Sequence, residues 1–307
     1  GIGNAINPIT SLADPKVLSI PMILLIGWRG ELREDKSQLE DEPQHRAQGK
    51  ITCKQLELMG IDYFILDSQN SNNYKELINI YLKKSIKNSV PFAMVVRKNC
   101  FKKNKKIILR NEPSILLSRE KIIKLTIKSI PTDTTIVSTT GFTSRELFEI
   151  RKIEKMNHEN DFLTIGGMGH TSQIAAGIAL AKPSQRILCI DGDGSLLMHS
   201  GSMAVNALCS NLVHIVINNG VHDSVGGQPT HAKNIVLSAL ATSFGYGCSV
   251  TVDNEYDLIK SLKDAFKVNK SFFIEVKSEK GSRSDLGRPD LSTNIIKKLF
   301  MEKLKRK

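Results

Sequence analysis

The stretch that most constrains the fold of this chain is residues 187–220, in which two apolar strands enclose a glycine turn and a helix. The first strand, Ile187–Ile190, ends at Asp191–Gly194, which reads DGDG. The second, Val213–Ile217, ends at Asn218–Gly220, which reads NNG. Strands joined by a helical crossover lie parallel in one sheet, so this stretch predicts an α/β fold.

The two strand ends predict a binding site, because ligands of α/β sheets bind outside the carboxyl ends of neighbouring strands. Glycines on both sides of Asp193 let the backbone turn tightly and bring its N–H groups close to an anion. We expect Asp193 and Asn219 to meet there. A carboxylate and an amide oxygen beside phosphate oxygens suit a hard cation such as Mg²⁺. An ordinary strand–helix–strand unit with turn residues remains the alternative.

Composition places the chain among globular proteins. It has 307 residues, 40% of them hydrophobic, and no apolar run approaches the roughly 20 residues of a membrane span. The start, at Gly1, lacks a Met and a basic segment, so we expect no signal peptide and a chain that begins inside a longer protein. Five scattered cysteines without a CxxC pair indicate reduced thiols and a cytoplasmic location.

The net charge of +12 has two interpretations. Lysines concentrate at the C-terminus, but no nucleic-acid recognition module and little aromatic interleaving accompany them, so we expect no nucleic-acid partner. The surface charge instead favours anionic substrates.

Strand-like and helix-like runs alternate along the whole chain, which predicts two domains, each a mainly parallel sheet with helices on both faces. We place the first domain at residues 1–112 and the second at 113–307, with a boundary near 111–113 and a basic loop at 102–106. Three elements within this prediction are a buried strand at Met22–Ile26 and helices at Leu196–Cys209 and Ala232–Phe244. Ser118 is predicted to cap a further helix that runs to Ile130.

Several motifs make the chain resemble the phosphonopyruvate decarboxylases of the thiamine-diphosphate (ThDP)-dependent decarboxylase superfamily, with sulfopyruvate decarboxylases close by. The resemblance covers nearly all of the chain. The segments that carry it are Gly1–Pro8, Gly27–Gly30, Asp41–His45, Gly49, Gly166–His170, Gly192–Gly194, Asn218–Thr230 and Asp285–Pro289.

The resemblance implies a pyrimidine-binding first domain and a diphosphate-binding second domain, with ThDP held between domains of two subunits of a homo-oligomer. It also implies that the first domain begins before Gly1, and that the preceding segment carries the glutamate that hydrogen-bonds the aminopyrimidine N1′. No acidic residue precedes Asp14 here. We therefore expect the first domain to be incomplete.

The resemblance also implies the cofactor site. Met168 takes the position of the apolar side chain beneath the bent cofactor, with the Gly166 carbonyl near its amino group; a core methionine is the alternative. Asp193 and Asn219, with the Val221 carbonyl, become the Mg²⁺ ligands. The Gly194 and Ser195 N–H groups bind the diphosphate. The full set of implied cofactor-binding residues is Gly166, Met168, Gly192, Asp193, Gly194, Ser195 and Asn219.

The candidates for catalysis are His170, His222 and Asp223, which follow strands and could bind an anion or carry a proton; turn or cap roles remain the alternative. The candidates for substrate binding are Arg29, Gln44 and His45, since arginine suits bidentate anion contacts. For them, an interdomain salt bridge is the alternative. The other histidines at 199, 214 and 231 are expected to be structural.

The resemblance implies a ThDP- and Mg²⁺-dependent decarboxylase of phosphonate biosynthesis, which converts 3-phosphonopyruvate to phosphonoacetaldehyde and CO₂. The thiazolium carbanion adds to a 2-keto acid, and its ring accepts the electrons released with CO₂. Two alternatives remain. One is decarboxylation of sulfopyruvate. The other is a non-catalytic ThDP-binding module, because the segment with the activating glutamate is missing and the chain as given would then be inactive.

Overall fold

The computed structural model describes residues 1–68, 73–101 and 115–306. The chain divides into two compact units, Gly1–Leu109 and Arg110–Lys307. The predicted basic loop at 102–106 and the predicted boundary near 111–113 lie outside the described residues. Each unit is built on a parallel sheet with helices packed against it, which confirms the predicted fold class.

The first unit contains a three-stranded parallel sheet in the order β1-β3-β2. Its strands are β1 (Ile23–Gly27), β2 (Asp62–Leu66) and β3 (Phe92–Val96). Its helices are α1 (Ile2–Pro8), which continues as a π-helical turn at Ile9–Ala13, α2 (Pro43–Leu58) and α3 (Tyr74–Asn88).

The central strand β3 contributes to apolar clusters on both faces of this sheet. Ala93 and Val95 pack with Leu56 of α2, while Phe92 and Val96 pack with the side chains that α3 contributes. The prediction of a fully buried first strand was wrong. β1 lies at the edge of the sheet, and alternate side chains point away from the core, so Ile23 and Leu25 are exposed.

The second unit contains six parallel strands in the order β5-β4-β6-β7-β9-β8. They are β4 (Thr135–Ser138), β5 (Asp161–Leu163), β6 (Ile187–Gly192), β7 (Leu212–Asn218), β8 (Cys248–Val252) and β9 (Phe272–Lys277). Strand β5 lies on one side of β4 and β6 on the other. The chain therefore reverses direction across the sheet between β4 and β6, where such sheets bind ligands.

The helices of the second unit cover both faces of the sheet. They are α4 (Arg119–Ser129), α5 (Phe142–Ile153), α6 (Thr171–Ala181), α7 (Asp193–Met198), α8 (Met203–Asn206), α9 (Leu237–Ser243), α10 (Glu255–Lys267) and α11 (Thr293–Arg306). One face packs against α4, α5 and α10, and the other against α6 and α9. None of the helices in the described residues combines the length and apolarity needed to cross a membrane.

Two predicted helices are interrupted. The predicted helix at Leu196–Cys209 ends at Met198 and resumes at Met203, because the intervening Ser-Gly-Ser favours a 3₁₀ turn over an α-helix. The predicted helix at Ala232–Phe244 is a 3₁₀ turn at His231–Asn234 followed by α9. Between them Ile235 is extended, as suits a β-branched residue.

Candidate functional site

The carboxyl ends of β4, β6 and β7 surround a cavity that is open to solvent on one side. Gly192 of β6 pairs in register with Ile217 of β7, so the segments that follow the two strands emerge side by side. Both Asp193 and Asn219 line the cavity, as the spacing of the two strand ends predicted. The cavity is lined by Arg119, Thr139, Thr140, Phe142, Thr143, Met168, Gly192, Asp193, Gly194, Ser195, Ile217, Asn219, Val221, His222, Asp223 and Ser224.

Asp193 is a buried carboxylate at the start of α7, only 2% exposed. Its Oδ2 accepts a hydrogen bond from the Thr230 hydroxyl. Burial raises the pKa of Asp193, while bonds from Thr230 and the Gly194 backbone and the nearby His222 oppose the rise. A carboxylate held in a dry site gains when a cation arrives, because the cation compensates the lost hydration.

Gly194 gives the turn its close approach to His222. A Cβ built at Gly194 would lie 2.4 Å from Cε1 and 2.5 Å from Nδ1 of the His222 ring. The absence of a side chain therefore lets the imidazole lie directly against the turn. The first N–H groups of α7 have no backbone acceptor within the helix, and the Gly194 N–H bonds the Asp193 carboxylate instead.

The glycine turn at 166–170 is fastened to the strand ends by hydroxyl groups. The Gly169 N–H donates to Ser195 Oγ at 3.0 Å, and the Thr139 hydroxyl donates to the same oxygen at 3.2 Å. The Gly166 N–H donates to Thr140 Oγ1 at 3.1 Å. Gly166 and Gly169 have φ values of +62° and +86°, in the left-handed region that favours glycine. The turn directs Met168 into the cavity wall.

Asn219 is oriented by hydrogen bonds on both sides of its amide. Its Nδ2 donates to Asp223 Oδ2 at 2.7 Å, and its Oδ1 accepts from the Val221 N–H at 3.1 Å. These bonds fix which end of the amide is oxygen and leave Oδ1 one lone pair for a further partner. Asp223 Oδ2 also accepts from the Gly281 N–H at 2.9 Å, so this carboxylate mainly holds neighbouring groups in place.

Arg119 and Glu146 form a buried ion pair beside the cavity that sequence reasoning missed. Arg119 Nε and Nη2 donate to the two carboxylate oxygens of Glu146 at 2.8 and 2.9 Å, and Nη1 lies 3.3 Å from Asp223 Oδ2. Burial raises the pKa of Glu146, and the hydrogen bonds from Arg119 oppose that rise. The signal was in the sequence: Arg119 precedes Ile122 and Ile123 by three and four positions, which places it on the buried face of α4.

His170 does not line this cavity, unlike the other two catalytic candidates, His222 and Asp223. The side chain of His170 is exposed at the N-terminus of α6, and its ring stacks on His199 with centroids 4.5 Å apart. His222 and Asp223 both line the cavity.

In the first unit, the substrate-binding candidates gather on Asp41. Arg29 Nε and Nη2 donate to its carboxylate oxygens at 2.8 and 2.6 Å, and His45 Nδ1 lies 3.0 Å from Oδ1. The hydrogen bonds from Arg29 hold the pKa of Asp41 well below its usual range. Arg29 remains 61% exposed, and its Nη1 group makes no bond to this carboxylate. Gln44 follows Pro43 in the first turn of α2, and its Oε1 is a buried oxygen with no hydrogen-bond partner among the described residues.

The donor set of the cavity suits Mg²⁺ and a diphosphate. Asp193 supplies a buried anionic oxygen, and Asn219 supplies an oriented amide oxygen, which are the hard donors that Mg²⁺ prefers. The Gly192–Ser195 turn supplies N–H groups, and Gly194 leaves room at the turn where a Cβ would collide. The residues therefore fit a diphosphate cofactor with a bound cation.

The fold and the site together are those of an α/β protein with a cavity that suits a diphosphate cofactor at the switch point of a parallel sheet. Comparison with known proteins identifies the protein family. Residues 139–276 match the family described as thiamine pyrophosphate enzyme, C-terminal TPP binding domain. The chain is 31% identical over 192 residues to sulfopyruvate decarboxylase subunit beta from Methanocaldococcus jannaschii, covering 60% of this chain and 96% of that protein. The chain belongs to the thiamine diphosphate-dependent decarboxylases.

A second similarity extends further along the chain. Phosphonopyruvate decarboxylase from Streptomyces viridochromogenes is 29% identical over 315 residues, covering 98% of this chain and 76% of that protein. Among solved structures, the thiamine diphosphate-dependent 4-hydroxybenzoylformate decarboxylase of Rhodococcus jostii RHA1 matches with 19% identity and a TM-score of 0.47. That match covers 61% of this chain and 37% of the solved chain, so this chain spans about a third of its length.

Proposed function

We propose that this chain decarboxylates 3-phosphonopyruvate to phosphonoacetaldehyde and CO₂, with ThDP and Mg²⁺ bound at the cavity of the second unit. The observation that carries the proposal is the extent of the similarity. It runs over 98% of this chain for the phosphonopyruvate decarboxylase and over 60% for the sulfopyruvate decarboxylase subunit. The phosphonate enzyme therefore accounts for both units, and sulfopyruvate remains the second candidate substrate.

Bound ThDP supplies a carbanion that adds to the keto carbonyl and a ring that accepts the electrons released with CO₂. The chain's own residues would hold it in place. Asp193 and Asn219, with the Val221 carbonyl, would bind Mg²⁺, and the Gly194 and Ser195 N–H groups would bind the diphosphate. Met168, which lines the cavity, would support the cofactor, and the Gly166 carbonyl would face its amino group.

Among the catalytic candidates, His222 is the one we assign to holding a proton. Its imidazole lines the cavity, and its ring nitrogens make no hydrogen bond within the described part of the chain. Asp223 has a different role, because Asn219, Gly281 and Arg119 all contact its Oδ2. We assign Asp223 to positioning the amide of Asn219. His170 would act only on groups outside the cavity described here.

We further propose that residues 1–112 bind the aminopyrimidine, that residues 113–307 bind the diphosphate, and that two copies of the chain complete the site. Exposed apolar side chains on the second unit support self-association. Among them, Leu208 is 79% exposed, and Leu180, Val205 and Met198 are also exposed. Sedimentation of the purified chain would test this, and a monomer at micromolar concentration would contradict it. The five free cysteines favour a reducing compartment such as the cytoplasm.

The substrate is tested by ³¹P NMR. With ThDP and Mg²⁺ present, phosphonopyruvate should give phosphonoacetaldehyde, and kcat/KM should exceed that for sulfopyruvate, measured in parallel as CO₂ release. A higher kcat/KM for sulfopyruvate would make sulfopyruvate, and not phosphonopyruvate, the assigned substrate. Turnover of pyruvate, but of neither of these two substrates, would reject both.

Arg29 provides a separate test of how the anionic end of the substrate is recognised. Its Nη1 group is available although Asp41 occupies Nε and Nη2, so it could still donate to a phosphonate oxygen. Arg29→Ala should raise KM for phosphonopyruvate much more than KM for pyruvate, by an amount worth about 1.5–3 kcal/mol for a charged hydrogen bond. Equal effects on the two substrates would limit Arg29 to holding Asp41.

A further inference from the structure

A second cluster of potential metal ligands lies in the core beneath the Gly192–Ser195 turn. Cys189 of β6 pairs in register with His214 of β7, and Asp191 follows Cys189 by two positions, so the three side chains share one face of the sheet. All three are completely buried. One donor atom from each, the Cys189 sulfur, an Asp191 oxygen and a His214 nitrogen, lies within 4.8 Å of the other two.

Two donor atoms of this cluster have no hydrogen-bond partner among the described residues. Asp191 Oδ1 accepts from the Gly192 N–H at 2.9 Å, but Oδ2 has no hydrogen bond, and neither does His214 Nε2. These two atoms are 3.7 Å apart, which is too long for a hydrogen bond. Buried polar atoms are costly when unpaired, so the cluster needs an occupant that both atoms can bind.

The distances and charges favour a metal ion. Donor atoms that share a tetrahedral metal at about 2.0–2.3 Å lie farther apart than hydrogen-bonded atoms, as Oδ2 and Nε2 do here. One thiolate and one carboxylate would balance the charge of a divalent cation in this dry core. The Tyr246 hydroxyl lies 2.9 Å from His214 Nδ1, where it orients the ring and can accept the Nδ1 proton. That tautomer leaves Nε2 free to bind a metal.

We propose that Cys189 Sγ, Asp191 Oδ2 and His214 Nε2 bind one divalent transition metal of the zinc class. Sulfur and imidazole donors select zinc over Mg²⁺, so this site differs in chemistry from the Asp193 site above it. Binding forms the metal–sulfur bond as the thiol proton passes to the buffer, and it changes no oxidation state. Three protein donors leave a fourth position for water. The site would tie β6 to β7 under the turn, and it is independent of the proposed substrate.

Cobalt provides the test, since a Co²⁺–thiolate bond absorbs in the near ultraviolet. The full chain is freed of metal with a chelator, saturated with Mg²⁺ and ThDP, and titrated with Co²⁺. We expect a thiolate-to-cobalt band that saturates at one equivalent per chain and disappears on addition of Zn²⁺. Failure of the band to appear would overturn the proposal.

Matched cysteine variants assign the band. Cys189→Ser should abolish it, whereas Cys209→Ser, which changes another buried cysteine on the same face, should keep it. A band that survives in folded Cys189→Ser protein would overturn the assignment. If Cys189→Ser does not fold, X-ray absorption of the zinc-loaded wild-type chain decides. One sulfur at about 2.3 Å with nitrogen and oxygen at about 2.0–2.2 Å supports the site, and a shell without sulfur refutes it.

Discussion

At the scale of single residues, the packing of the His222 ring against the turn depends on the absence of a side chain at Gly194. A methyl group at this position would meet the His222 ring at 2.4 Å and Thr230 Cγ2 at 3.2 Å. The ring is the more mobile neighbour, so it should move away from the turn. The substitution therefore tests whether close contact between the turn and His222 matters for binding.

We expect Gly194→Ala to weaken ThDP binding by about 1–3 kcal/mol, the usual cost of overpacking, while leaving the thermal midpoint nearly unchanged. Gly177→Ala in α6 is the matched control, because its Cβ would meet nothing within 4 Å. The control should keep cofactor affinity and gain up to about 1 kcal/mol in stability from helix propensity. Equal ThDP affinity in both variants would contradict the account of the turn.

The Asp41 cluster gives a prediction about pH. Its folded pKa lies below the ordinary 3.8, chiefly because Arg29 donates to the carboxylate. A lowered pKa adds stability that is fully present above the unfolded value and is lost as pH falls through the folded value. The difference in free energy of unfolding between wild type and Asp41→Asn should therefore be constant above about pH 5 and shrink below about pH 4.

Urea denaturation across this pH range measures that difference. The same comparison in an Arg29→Gln background should show a smaller difference, because the strongest partner of Asp41 is gone. A gap that stays constant down to pH 2, or one that Arg29→Gln does not change, would show that the cluster contributes little to stability.

The sequence predicted some residues of the site and missed others for a physical reason. Asp193 and Asn219 could be placed together because strand ends of a parallel crossover must be neighbours. The Arg119–Glu146 pair could not, because it joins helices separated along the chain by a strand, and its partner depends on side-chain conformation. The stacking of His170 on His199 could not be derived from local patterns either, because it joins two separate segments of the chain.

At the scale of elements, the sequence predicted one helix start correctly and missed two interruptions of helices. Ser118 was predicted to cap α4, and its side chain accepts from the Lys121 N–H. The breaks after Met198 and Asn234 were missed, because the apolar pattern continues across them. The first break follows the helix that begins at Asp193, and the second follows Thr230, which donates to Asp193.

The Arg119–Glu146 pair joins α4 to α5, and its loss should destabilise the fold. Arg119→Met leaves Glu146 buried without its partner, so we expect the free energy of unfolding to fall by about 3–5 kcal/mol. Adding Glu146→Leu should recover much of that loss, because no buried charge then remains. Denaturant unfolding of the two single variants and the double variant measures the coupling.

Lys152→Met provides the control for this cycle. Its pair with Asp290 is exposed, with 64% and 57% of the two side chains accessible, so its removal should change stability far less. Additive losses for Arg119→Met and Glu146→Leu would show that the two side chains do not stabilise each other.

At the scale of the whole molecule, the order β5-β4-β6-β7-β9-β8 is what turns separate motifs into one site. The alternation of strands and helices predicted parallel sheets, and the crossover from β6 to β7 predicted one neighbour pair. The position of β4 beside β6 could not be derived from local patterns, because the chain first visits β5. That placement brings Thr139 and Thr140 to the glycine turns that they bind.

The central claim is that this strand-end cavity binds ThDP through a cation held by Asp193 and Asn219. Calorimetric titration of ThDP into the chain, with and without Mg²⁺, tests it most directly. Asp264→Ala, which removes an exposed aspartate from α10, is the control. We predict Mg²⁺-dependent binding to wild type and control, and its loss in Asp193→Ala and Asn219→Ala proteins that keep their circular dichroism spectra. Unchanged ThDP affinity in both of those variants would contradict the claim.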